Sequence, residues 1–120
     1  MTVRPEELAD AMVRRARAER QRHCERAVRL RTQLRSAIQA LRVAGTVDAA
    51  WLIGSLAWGG FGHRSDVDVV VRGADPARIG ALGGTLSDAL DIDVDVLRLE
   101  DLAPAFRDRV LAEGLRLDGA

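Results

Sequence analysis

The sequence predicts an α/β (α+β) domain, a small sheet flanked by helices and preceded by one long helix. No helix breaker lies between Pro5 and Gly45, and Leu30, Leu34, Ile38 and Leu41 recur at intervals of 4, 4 and 3 on one helical face. Short Val-rich segments then alternate with helix-like ones. The chain has 120 residues, 48% hydrophobic, which suits one domain with one real core.

Each element has a local reason. Pro5 suits a first helical turn, and Glu6 and Glu7 complement its dipole. Leu8 and Met12 make a weaker apolar start. Residues 14–26 favour helix but are polar nearly all round, so they stand in solvent or meet a partner. Gly45 is the expected stop. Val47 to Ile53 reads as a buried strand, with Trp51 in the core. Gly54 to Gly62 reads as a turn with room for a short helix around Leu56–Trp58. Asp66 to Val71 reads as a second strand. Asp75-Pro76 reads as a cap and first-turn proline, opening a helix to about Leu90 that Gly80, Gly83 and Gly84 weaken. Asp91 to Leu99 alternates and reads as a third strand. Leu102 to Glu113 reads as a last helix, with Asp101 as N-cap and Phe106 and Val110 on one face. Leu115 to Leu117 adds a short edge strand. The expected division is a helical segment, 1–45, and a core, 46–120.

Composition excludes several classes. No run of 18 apolar residues exists, and the first residues carry no apolar stretch of the signal-peptide kind. Cys24 is the only cysteine, so no intrachain disulfide or cysteine-based zinc site is expected. A cytoplasmic protein is the expectation. All 18 basic residues are arginine, and the missing lysine excludes a Walker-type phosphate loop. The net charge is zero, yet the first 45 residues are rich in arginine and the remainder in acids. That asymmetry suggests a charged partner or self-association.

Chemistry concentrates after the first strand. Glycine at Gly54 lets backbone approach a phosphate, and the Ser55 hydroxyl can hold its oxygens. Asp66 and Asp68 are two apart on a strand and share a face. Asp91, Asp93 and Asp95 would share a face of the third strand. Carboxylates so gathered repel unless a cation sits among them, which suits Mg²⁺ held together with substrate phosphates. His63, beside the acidic pair, reads as a solvated loop histidine.

Gly54-Ser55-Leu56-Ala57-Trp58-Gly59, five residues, then Ser65-Asp66-Val67-Asp68 resembles the signature of nucleotidyltransferases related to DNA polymerase beta. Its pattern is G-S-x-A-x-G, five residues, S-D-hydrophobic-D. Val94-Asp95-Val96-Leu97, Leu102, Pro104, Phe106-Arg107, Val110-Leu111 and Glu113-Gly114 are similar to the C-terminal pattern of the minimal nucleotidyltransferases (MNT), antitoxins of HEPN toxins. The resemblance covers about residues 34–117.

The resemblance implies a polymerase-beta-like core with a small mixed sheet. It implies that Asp66, Asp68 and Asp95 are catalytic and hold the metal, two Mg²⁺ ions, with Asp93 the rival third carboxylate. It implies that Gly54 and Ser55 hold nucleotide phosphates and that Ser65 braces the turn. Many members carry Arg where this chain has Trp58; Arg64 is near enough to substitute. The implied activity is AMP transfer from ATP to a hydroxyl of a cognate HEPN toxin. The small core leaves the acceptor to a partner protein. The rival is an antitoxin that neutralises its partner by binding alone. A homo-oligomer or hetero-oligomer is compatible with either, and neither membrane association nor direct nucleic-acid binding is expected.

Overall fold

A computed structural model describes residues 2–58 and 66–119, except the side chain of Trp58. Helix α1 spans Pro5–Val43, β1 Ala49–Ile53, α2 Ser55–Trp58, β2 Val67–Arg72, α3 Ile79–Leu90, β3 Val94–Arg98, α4 Pro104–Glu113 and β4 Leu115–Arg116. The four strands form one mixed sheet in the order β3-β2-β1-β4. β1 is antiparallel to β2 and β4, and β2 is parallel to β3. The mixed α+β architecture is therefore as the sequence predicts.

The apolar periodicity of α1 becomes packing only over its C-terminal part. Ala27, Leu30, Leu34 and Ile38 are buried. They join Leu82, Leu86 and Leu90 of α3 and Ala50, Leu52, Val67 and Val69 of the sheet in one core. Leu8 and Met12, more than half exposed, take no part. α1 ends where Gly45 adopts φ +76°, a left-handed conformation that glycine enters without a Cβ penalty. α3 runs to Leu90 despite its glycines, because Leu82, Leu86 and Leu90 recur every four residues and are all buried.

The opposite face of the sheet carries a smaller cluster. Trp51 and Ile53 of β1, Val70 of β2 and Leu99 pack there beneath Val110 of α4. Arg116 lies over the Trp51 ring, 5.0 Å from its centroid. Every residue of β1 is buried, as befits a strand covered on both faces.

Three local expectations need correction. The third strand begins at Val94, so Asp91 is not on it. Asp91 instead caps α3 with φ 53°, a conformation that a short polar side chain tolerates. Asp101 is not the N-cap of α4. Residues Leu99–Asp101 form a 3₁₀ turn, and the helix starts at Pro104 behind Ala103, where proline's fixed φ suits a first turn. Asp101 pairs with Arg98 at 2.9 Å instead. Phe106 does not share Val110's burial: it is 38% exposed. Asp75 does act as a cap, its carboxylate accepting from the Ala77 N–H at 3.0 Å, over a 3₁₀ turn that leads into α3.

Candidate active site

Strand register brings the predicted residues together. Ile53 of β1 stands opposite Asp68 of β2, and Asp68 stands opposite Asp95 of β3. Gly54 follows Ile53 at once, with φ +78°. A Cβ on Gly54 would lie 3.2 Å from Asp68 Oδ2. Glycine suits the turn by its backbone angle, and any larger residue would also press on the Asp68 carboxylate. Ser55 opens α2 directly after this turn. Leu56, in α2, is buried, and its carbonyl accepts from Arg31 Nη1 at 2.9 Å. That bond ties the turn to α1.

The alternation of β2 explains which way Asp68 faces. Val67, Val69 and Val71 belong to the α1/α3 core, whereas Val70 belongs to the Trp51 cluster. Asp68 shares its face with Val70. Its neighbour in register, Asp95, is exposed on β3. Asp66, also exposed, precedes β2 by one residue. Burial raises the proton affinity of the Asp68 carboxyl above the usual carboxylate range, and the charges of Asp95 and then Asp66 raise it further. Asp93 lies just before β3, and its carbonyl accepts from the Val67 N–H at 3.2 Å. It does not figure among the charges that act on Asp68.

Gly54, Ser55, Asp66, Asp68 and Asp95 therefore come to one edge of the sheet. Ser65, His63 and Arg64 lie outside the described residues. Among the described residues, no three acidic, histidine or cysteine side chains are gathered as a ready metal cage. The chemistry of the donors still fits a hard divalent cation, because each is a carboxylate oxygen and Asp68 carries excess negative charge around it.

Two polar anchors were not read from the sequence. Asp118 is buried; its carboxylate accepts from the Ala50 N–H at 3.0 Å and from Arg116 Nε at 2.7 Å. Arg31 sits in a run of helical arginines, and nothing in its local spacing distinguishes it. The one signal for Asp118 is its place directly after the short edge strand.

A glycine turn beside acidic strands in register is the arrangement that the resembled nucleotidyltransferase signature implies. The sequence matches the family profile described as "Polymerase beta, Nucleotidyltransferase" over residues 35–117, and the chain belongs to that family. Among solved structures, a protein assigned as a minimal nucleotidyltransferase is 27% identical, with a TM-score of 0.64. The match covers 74% of this chain and 93% of that one. A toxin–antitoxin structure with AMP-PNP is 27% identical with a TM-score of 0.61, covering 72% of this chain and 73% of that one. A complex of the tri-AMPylated Shewanella oneidensis HEPN toxin with its MNT antitoxin shares the fold. Its match is 24% identical with a TM-score of 0.55, covering 75% of this chain and 73% of that one. A search of curated protein sequences returns no significant match.

Proposed function

We propose that the chain is a minimal nucleotidyltransferase antitoxin that transfers AMP from ATP to a hydroxyl of a cognate HEPN toxin in the cytoplasm. The observation that carries this reading is the register of Asp68 with Asp95 across parallel strands, beside the crowded Gly54 turn. Membership in the nucleotidyltransferase family supports the reaction class. Likeness to a toxin–antitoxin structure with AMP-PNP supports the nucleotide and the protein partner.

In this reading the acceptor oxygen attacks the α-phosphorus of ATP. The bond to the α–β bridging oxygen breaks, and pyrophosphate leaves. Gly54 and Ser55 bind the phosphates, because no Cβ blocks the turn and a hydroxyl follows it. Ser65 is assigned its bracing role only by its place in the signature. Asp66, Asp68 and Asp95 would hold Mg²⁺, which when bound neutralises charge on the phosphates and lowers the proton affinity of the attacking hydroxyl. Asp68 is the most strongly placed of the three, since both other carboxylates press on it. Asp95 rather than Asp93 completes the set, because only Asp95 is in register with Asp68.

Incubation with a HEPN toxin that the chain binds and α-labelled ATP tests the reading. Labelled toxin is expected, with loss of label in Asp68→Asn and in Asp95→Asn and most of it kept in Asp93→Asn. A toxin that is silenced yet never labelled would overturn transfer in favour of neutralisation by binding alone. Loss of label in Asp93→Asn but not in Asp95→Asn would reverse the assignment of the third carboxylate.

A further inference from the structure

Strand β3 is an outer strand of the sheet, with β2 on one side of it. Asp93 turns its carbonyl to the Val67 N–H. Backbone groups alternate in direction along a strand, so Asp95 and Leu97 also bond to β2, whereas Val94, Val96 and Arg98 turn theirs outward. The Val94 N–H is already bonded, donating to Ser87 Oγ of α3 at 2.9 Å. α3 also lies close to the Val94 carbonyl, since a Cβ on Gly83 would stand 3.4 Å from it. Among the described residues, none bonds the outward N–H and carbonyl of Val96 or the outward N–H of Arg98. A bare strand edge is a template for another strand and is normally blocked; here α3 blocks only its start.

A groove of about 300 Å³ adjoins the open stretch, lined by Ile79, Val96, Leu97 and Leu102 among others. Ile79 packs with the α1/α3 core and Leu102 with the Trp51 cluster, so the two flank the edge from opposite faces of the sheet. Leu97 is 40% exposed. It shares a face of β3 with Asp95, two residues away.

We propose that this edge is where the acceptor protein docks, an extended segment of it adding to the sheet antiparallel to β3. The proposal rests on the transferase reading and says how that acceptor is held. Antiparallel addition fits because it gives both bonds of Val96 to one residue of the incoming segment, and one complete pair is what the edge offers. The next residue of that segment then stands opposite Asp95 on the catalytic face, with Cβ atoms about 5 Å apart. A hydroxyl there comes to the third carboxylate. The residue before the paired one stands opposite Leu97 and covers it. Main-chain bonds supply affinity in this mode and alternate side chains supply specificity. The segment is thus read as a hydroxyl residue two places after one with an apolar surface. A second copy of this chain is the poorer occupant. Two β3 strands paired about Val96 would set Leu97 of each against Asp95 of the other and cover a catalytic carboxylate with an apolar side chain.

Amide hydrogen exchange read by NMR tests the docking, on the full chain alone and with a HEPN toxin that it binds. In the free chain the Val96 and Arg98 amides are expected to exchange fast and those of Asp95 and Leu97 slowly; the toxin is expected to slow Val96 and Arg98. Val96→Pro removes an outward N–H at a position where an edge strand admits proline. Leu97→Lys charges the groove and keeps the backbone intact. Each is expected to raise the KM for toxin about fivefold or more in AMP transfer, while binding of AMP-PNP with Mg²⁺, followed by thermal shift, stays as in the wild type. Toxin that is labelled while both amides stay fast, or both variants at the wild-type KM, overturns the docking and leaves the transferase reading standing. Slowed amides on a toxin that is never labelled overturn the transferase reading and keep the edge as the docking site. Amides that slow in the free chain as its concentration rises assign the edge to a second copy and overturn the proposal. A chain that binds no HEPN toxin overturns both.

Discussion

The two parts of α1 are one continuous helix held in place by different physics. From Ala27 to Ile38 its stripe is buried against α3 and the sheet. From Pro5 to Arg26 the same helical repeat runs on with hardly any burial, kept helical by good helix formers, a first-turn proline and acids at the dipole's positive end. The contrast teaches that helical periodicity specifies a face, whereas burial depends on what the rest of the chain brings to that face.

The largest expected effect comes from breaking the buried part. Leu34, fully buried, is expected to cost about 2–5 kcal/mol as Leu34→Ala, through lost transfer energy and a cavity, measured by urea unfolding. Less is expected at the far end of the same packing. Asp118→Asn is expected to cost about 1–3 kcal/mol, because a buried carboxylate that accepts from Ala50 and Arg116 loses its charge. Burial pushes Asp118 up, but the Arg116 hydrogen bond and the Ala50 N–H outweigh it and hold it below the usual carboxylate range. Its contribution is therefore full above the unfolded value of about 3.9 and is lost as pH falls through the lower folded value. Acid unfolding curves of Asp118→Asn should be flatter than wild type in that window.

Arg31→Met keeps the stem and removes the bond to Leu56. About 1 kcal/mol is expected, by the same urea measurement. The smallest effects sharpen the comparison within one helix. Val28→Ala, one residue from buried Ala27 but on the outer face, and Arg14→Ala in the N-terminal part should both stay within about 0.5 kcal/mol of wild type. A cost above 2 kcal/mol at either would mean that the outer face of α1 is covered.

Much of this architecture was legible in the sequence because the strong signals are periodic. Leu30, Leu34 and Ile38 announce a helix face, and the Val-rich segments announce strands. The Gly54-Ser55 and Asp66-x-Asp68 spacing announces a site, which pairing then assembles. What alternation could not resolve is where a strand begins. Asp91, Asp93 and Asp95 look equivalent, yet α3 holds Asp91 in a left-handed cap and the ladder starts at Val94. Asp101 falls in a 3₁₀ turn because Pro104 rather than an acidic cap sets the start of α4. Phe106, on Val110's helical face but one turn nearer the start, is 38% exposed because periodicity marks a face without saying how far the sheet beneath it extends. Asp118 and Arg31 were invisible because their partners, Ala50 and Leu56, are far away in the chain and offer backbone groups that every residue has.

The register of β2 with β3 also sets which insertions the chain tolerates. Asp68 meets Asp95 only because Val67 pairs with Val94 and Val69 with Val96. One extra residue in the exposed 3₁₀ turn Pro76–Arg78 would lengthen the crossover and leave the ladder intact. One extra residue inside β3 ahead of Asp95 would turn that carboxylate into the α1/α3 core and bring a valine to the edge. Length is thus free to drift in the crossover and is forbidden to drift within a few residues of strand, where a single added residue would abolish the site with every catalytic side chain still present.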